Sequence, residues 1–289
     1  MQASVLTTVI MPMALGVIML GLGLSLTLED FRRVARYPRA ITIALICQMV
    51  LLPALCCVLA LFFGMPPELA VGLMLLSASP GGATANLYSH LSNGDVALNI
   101  TLTAVNSFLT LFTLPLIVNL SLAYFMDSGE YLPMQFKKVI EVFIIVLGPV
   151  TIGMLIRAKA AAFAARMDKP VKILSALFLF LVITLITINE RDTLTKYFAQ
   201  LGMPVLVFNV LSMVVGYYVP QLFRVEKKQA IAIGMEIGLH NGTLAIYIAL
   251  NVMHNATMAL PAGMYGLLMF FTAAAFGVLV NLKKPTQGA

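Results

Sequence analysis

Ser77-Ala78-Ser79-Pro80-Gly81-Gly82-Ala83-Thr84-Ala85-Asn86 sets a Pro-Gly-Gly break near the middle of an apolar stretch. Late in the chain Glu236-Ile237-Gly238-Leu239-His240-Asn241-Gly242-Thr243 does the same with two glycines and four polar side chains. One kink is common in membrane helices, because neighbouring groups re-satisfy the freed backbone. A matched pair is informative, and the sequence around the two breaks says what they interrupt.

The 289 residues are 61% hydrophobic and 10% charged. Soluble domains usually carry roughly a quarter charged residues, so this surface cannot dress a water-soluble globule of that size. Charge-poor stretches cover 1–28, 41–63, 69–91, 96–125, 139–156, 173–188, 197–223, 230–253 and 257–282, with short polar connections. None alternates polar and apolar residues, which excludes a barrel, and a bilayer offers no water to open backbone. The expectation is an all-α polytopic membrane protein of nine transmembrane helices, a single transmembrane domain over 1–289. Met1 to Leu28 contains no charge, hence no basic leader, and reads as a first membrane helix rather than a secretory signal. Cys47, Cys56 and Cys57 share one apolar stretch and read as buried thiols.

Basic residues orient the chain. With the N-terminus outside, Arg32, Arg33, Arg36, Arg39, Arg157, Lys159, Arg166, Lys169, Lys172, Arg224, Lys227, Lys228, Lys283 and Lys284 fall on the cytoplasmic side. That is 14 of the 18 Lys and Arg, leaving Lys137, Lys138, Arg191 and Lys196 outside. The C-terminus is then cytoplasmic, and the clusters read as topology signals facing the lipid bilayer rather than a nucleic-acid surface. Helices one to four and six to nine superpose only if one set is inverted, which brings the two breaks to equivalent places and leaves helix five unpaired. Interrupted helices at corresponding positions of inverted halves point to a transporter's midplane binding site.

Glu236 is the one clear midplane carboxylate. A charge there costs at least ~3 kcal/mol, so it is protonated and hydrogen-bonded to a neighbouring helix, or it holds a proton or cation. No Lys or Arg lies in a span core to pair with it, and competition between H⁺ and Na⁺ is expected. Na⁺ is hard and prefers several oxygens; Asn86, Asn99 and Thr103 offer them near the first break and Gln48 in the second helix, although Asn and Gln also serve as interhelical glue. Asn99 and Thr103, four apart, share a face. Thr84 and the backbone N–H groups after Gly82, starting at Ala83, open a half-helix whose positive end suits an anionic substrate, and the same holds after Gly242. Glu141 reads as an interfacial partner of Lys137 and Lys138, and Asp95 as an N-cap. His90 and His254 sit at span ends without metal-ligand spacing. Asn255-Ala256-Thr257 is a glycosylation sequon on the outer side.

Pro80-Gly81-Gly82 with Asn86, the run Asn93-Gly94-Asp95-Val96-Ala97-Leu98, and Glu236 to Gly242 together resemble the bile acid:sodium symporters. Weaker similarity, including Gly21-Leu22-Gly23-Leu24 and Pro53-Ala54, runs from about Ile10 to Lys284. The resemblance implies a core domain (about 41–125 and 197–282) holding two crossed, discontinuous helices, and a panel domain (about 1–28 and 136–189) moving against it. It implies one Na⁺ near Asn86, Asn99, Thr103 and Glu236. A second would lie near Gln48, Glu236, His240 and the carbonyls of Ile237 and Leu239. Substrate would meet Ala83, Thr84 and Asn241. Ala85, Asn99 and His240 depart from the usual residues. His240 weakens the second site, since a neutral imidazole is a poorer ligand for Na⁺, and a His240–Glu236 pair could admit proton coupling.

The reading is therefore a Na⁺-coupled symporter of organic anions, such as bile acids or small carboxylates, in the inner membrane of a cell. A proton-coupled or uncoupled carrier on the same fold is the alternative. An enzyme is not legible, for the sequence holds neither a nucleophile with its base nor a metal-ligand motif.

Overall fold

A computed structural model describes residues 10–126, 136–189 and 191–282. Residues 1–9, Lys283 and Lys284 lie outside the described residues, as do the side chains of Lys137, Lys138, Lys172 and Lys196. The described chain is helical: α1 Met11–Ser25, α2 Leu28–Arg32, α3 Pro38–Ile46, α4 Leu52–Phe62, α5 Pro67–Ser77, α6 Ala83–Leu91 and α7 Val96–Phe125. The second half runs α8 Phe136–Lys159, α9 Ala161–Asn189, α10 Arg191–Leu222, α11 Lys227–Gly238, α12 Gly242–Tyr247 and α13 Leu260–Leu282. Among the described residues five helices are long and apolar enough to cross a membrane, six if α1 and the bent stretch after it count as one span.

Local chemistry explains where helices stop. The chain turns by 72° between α1 and the helix after it. Thr27 takes extended backbone there and restarts the helix with Asp30: its N–H and its hydroxyl each donate to Asp30 Oδ2 over 2.7 Å. The first span thus ends before the Leu28 expected from hydropathy. Between α3 and α4 the helix widens into a π turn, Cys47–Leu51, just ahead of Pro53, which has no N–H to return to the preceding turn. The stretch 161–172, expected as a loop, is instead the beginning of α9, where the alanines around Phe163 favour helix; Arg166 and Lys169 ride on its exposed side.

α1 packs chiefly on α8 and α9, at a backbone distance that only glycine permits: a Cβ on Gly23 would fall on the Val150 carbonyl, and one on Gly153 on the backbone of Leu20 and Gly23. Elsewhere α11 is wrapped by α6, α7, α10 and α13, and α5 by α4, α7 and α13. α11 and α12 are buried throughout from Ala230 to Leu250. By contrast α7 exposes Phe108, Phe112, Leu116, Leu120 and Tyr124 at four-residue spacing, an apolar stripe suited to lipid. Its opposite face buries Asn99, Thr103, Asn106 and Thr110.

Two helix pairs break in mid-protein, α5/α6 at residues 78–82 and α11/α12 at 239–241, and the breaks lie across one another. The Asn241 N–H donates to the Pro80 carbonyl (2.8 Å), and the Gly82 N–H to the Leu239 carbonyl (3.3 Å), an antiparallel bridge centred on Gly81 and His240. Backbone groups freed by one break are satisfied by the other, which is how a bilayer-buried interruption avoids the cost of unpaired peptides.

α7 begins at the cap expected of Asp95, whose Oδ1 accepts the Leu98 N–H at 3.0 Å. Replacing it by Ala should cost about 1 kcal/mol, seen as a lower melting temperature in detergent, while Asp95→Asn should retain most of the stability. Equal losses in both variants would show that charge, not the cap, matters.

Candidate functional site

Glu236 lies on the last turns of α11, fully buried, directly beside the crossing. The place exists because position 81 is glycine: a Cβ there would fall on Glu236 Cδ, 2.5 Å from Oε1 and 2.6 Å from the Glu236 carbonyl. Among the described residues the buried acids are Asp30 and Glu236. Asp30 is paired with Arg33 at 2.8 Å, whereas Glu236 meets no Lys or Arg among them. Its partners come from α7: the Thr103 hydroxyl donates to Oε2 at 2.6 Å and Asn106 Nδ2 to Oε1 at 3.2 Å.

The surrounding amides share one feature. Asn99 Nδ2 donates to the Ala232 carbonyl at 2.6 Å, which leaves its Oδ1 buried with no hydrogen-bond partner among the described residues. The Oδ1 atoms of Asn86 and Asn106 are in the same position. An unsatisfied buried acceptor costs roughly 1–3 kcal/mol, so a group of them beside a carboxylate fits a site for a hard cation. No group of three or more His, Cys, Asp or Glu suited to a metal ion exists among the described residues. The available ligands are thus one carboxylate with amide, hydroxyl and carbonyl oxygens.

Gln48 and His240 form a second group across the first break. Gln48, on the π turn, donates through Nε2 to the carbonyls of Ser77 (3.2 Å) and Ser79 (3.0 Å). His240 Nδ1 lies 3.0 Å from the same Ser79 carbonyl, and since a carbonyl only accepts, Nδ1 carries the proton. Gln48 Oε1 and His240 Nε2 are left as open acceptors. The ring stacks on Phe208 at 5.8 Å and lies 5.4 Å from Tyr265, so the imidazole faces Ser79 and the aromatic residues rather than pairing with Glu236.

At the end of α11 the carbonyls have different fates. Gly238 O accepts from Tyr265 OH (2.8 Å) and from Asn209 Nδ2 (3.2 Å), and Thr272 donates to Asn209 Oδ1. Leu239 O is already used in the crossing. Ile237 and Leu239 are fully buried. On the half-helix side, α6 starts at Ala83, whose side chain lies outside the described residues, and Thr84 is half-buried with no side-chain cap at the Gly82 position. Asn241 is buried with its Oδ1 committed to the Leu244 N–H (3.1 Å), so only its amide Nδ2 is left to meet a ligand.

The structure therefore gathers Gln48, Asn99, Thr103, Glu236, Leu239 and His240 about one crossing, while Asn86 stands one turn into α6, half-buried with an open Oδ1. Sequence reasoning missed Asn106, Asn209, Tyr265, Thr272 and the Ser79 carbonyl. Asn106 had a signal, for it follows Asn99 by seven and Thr103 by three on one helical face. The others stand singly in apolar runs and gave none.

Interrupted helices that interlock around a buried acid are an arrangement that membrane transporters use. Residues 3–197 match the family model described as the Sodium Bile acid symporter family, and the chain belongs to that family. It is 26% identical over 94% of its length to the probable sodium/metabolite cotransporter BASS2, chloroplastic, of Oryza sativa subsp. japonica, and spans 64% of that protein, under two thirds. It is 25% identical to the uncharacterized sodium-dependent transporter YocS of Bacillus subtilis (strain 168), covering 81% of this chain and 72% of that one. The hepatic sodium/bile acid cotransporter of Rattus norvegicus is also 25% identical, over 94% of this chain and 75% of its own.

The glycines of the first break differ in what they allow. Gly81→Ala should lower stability by about 1–3 kcal/mol, because backbone and carboxylate cannot both move aside. Gly82→Ala, whose nearest neighbour is Thr84 Oγ1 at 3.7 Å, should melt close to the parent. Thermal unfolding in detergent separates them, and equal melting temperatures would show that Glu236 does not press on the bridge.

Proposed function

We propose that the protein is a sodium-coupled secondary active transporter of organic anions, such as bile acids or small carboxylates, working by alternating access. The observation that carries this reading is Glu236, buried without a cationic partner among the described residues and held by Thr103 and Asn106, whose own oxygen is left open, where two interrupted helix pairs cross. The sodium-dependent names of the relatives support it. In this reading one Na⁺ binds between Asn86, Asn99, Thr103 and Glu236. A second binds between Gln48, Glu236, His240 and the carbonyls of Ile237 and Leu239. The first draws on both interrupted spans, so an ion bound there ties the two breaks together, while the second joins the α11/α12 break to Gln48 on the π turn. An anionic group of the substrate meets the opening N–H groups of α6 at Ala83 and Thr84, where the helix dipole is positive, and the Asn241 amide.

The architecture follows the same reading: nine spans in inverted halves, with α5/α6 and α11/α12 as the equivalent interrupted pair. The core comprises about 41–125 and 197–282 and the panel about 1–28 and 136–189, in keeping with the close glycine packing of α1 on α8. Panel and core rock against one another to open the crossing to either side. The N-terminus faces outward and the C-terminus the cytoplasm, with the inner membrane as its place.

A proton-coupled carrier on the same fold has one observation in its favour: the imidazole of His240 takes one of the second site's ligand positions, and its Nε2 is an open proton acceptor. Exchange of Na⁺ for choline during uptake separates the two, as only the sodium carrier stops.

Glu236→Gln keeps the shape and a hydrogen-bonding end but removes the charge. It should insert normally and lose Na⁺-stimulated uptake in proteoliposomes, with about 3 kcal/mol or roughly 100-fold lost from cation affinity. Undiminished sodium stimulation would overturn the assignment.

A further inference from the structure

Asn209, Asn255 and Asn281 have both amide ends occupied, and at Asn251 it is the nitrogen, not the oxygen, that has no partner among the described residues. Asn209 donates to Gly238 O and accepts from Thr272; Asn255 donates to Glu68 (2.7 Å) and accepts from the Met258 N–H (3.2 Å). Asn281 donates to the carbonyls of Ser92 (3.0 Å) and Gly277 (2.7 Å) and accepts from Asn93 (3.2 Å). These are structural amides, fixed at nitrogen and oxygen alike. Asn106 differs. It is fully buried on α7, its nitrogen is on Glu236 Oε1 at 3.2 Å, and its oxygen has no partner among the described residues. It shares that open oxygen with Asn86 and Asn99, and shares a helical face with Asn99 and Thr103.

We propose that Asn106 is a further ligand of the sodium site at Glu236, so that three asparagine oxygens, the Thr103 hydroxyl and one carboxylate surround the ion. The assignment rests on the sodium reading above. Glu236 needs a donor where no cation is bound, and the Asn106 nitrogen supplies one. With the ion present, a half-turn about the Cβ–Cγ bond exchanges Nδ2 for Oδ1, a soft rotation that costs little. The same side chain therefore holds the empty carboxylate and coordinates the filled site, and an open oxygen is what that second task requires.

The test is the sodium dependence of the melting temperature of the purified full-length protein without substrate. The parent should melt higher as Na⁺ is added, and Asn106→Leu should need about tenfold more Na⁺ or above for the same rise, corresponding to one lost ligand. A parent without any sodium response would overturn the underlying sodium reading. A parent that responds, with Asn106→Leu responding at the same concentration, would overturn the Asn106 assignment alone. Should Asn106→Leu fail to fold, Asn106→Asp decides. It places a second carboxylate beside Glu236 among neutral oxygens, a set suited to Ca²⁺. It should gain a Ca²⁺-dependent rise that disappears when Glu236→Gln is added. A purely structural role predicts no such gain, and its absence would overturn the proposal.

Discussion

Two backbone hydrogen bonds, Asn241 N–H to Pro80 O and Gly82 N–H to Leu239 O, hold the molecule's centre together. In a hydrocarbon environment an interrupted helix is tolerated only where something else answers the freed peptide groups. Here each interruption answers the other. That reciprocity fixes the crossing of α5/α6 with α11/α12, and through it the height and orientation of every polar side chain around Glu236. The glycine at 81 is part of the same constraint, since the bridge and the carboxylate share the space a Cβ would occupy.

The carbonyls at the end of α11 show how an irregular backbone is shaped for a purpose. Gly238 O is held by Tyr265 and Asn209, and Asn209 is itself held by Thr272, a closed network that anchors the helix end to α10 and α13. Open side-chain oxygens remain on Asn86, Asn99, Asn106 and Gln48. The open oxygens stand on α6, α7 and the π turn while the carboxylate stands on α11, so a ligand held by both would change affinity whenever the crossing changes shape, which is the differential interaction that coupling demands.

Much of this was legible in the sequence because its causes are local. Scarcity of charge placed the chain in a bilayer, Pro80-Gly81-Gly82 and Gly238/Gly242 located the breaks, and Glu236 stood out as an acid with no basic neighbour. Asn99 and Thr103 could be paired by helical spacing, and Asp95 was visible as a cap. Features that depend on distant packing could not be read. Tyr265 and Asn209 reach one carbonyl from two separate helices, and neither carries a spacing signal in its own apolar run. The π turn at Gln48 arises where a proline meets a packed helix, the bend after α1 from the Thr27–Asp30 box, and the helical start of α9 from an alanine-rich segment whose basic residues imitate a loop. His240 was placed at the crossing by position, but its commitment to Ser79 and Phe208 rather than Glu236 follows from the turn of the bridge.

The central claim is that the interlocked breaks build a site for a sodium ion. Equilibrium dialysis of the purified protein against radiosodium tests it most directly. Saturable retention that excess choline does not displace is the result the account predicts. Retention that rises only in proportion to free sodium, with no saturation, would contradict it.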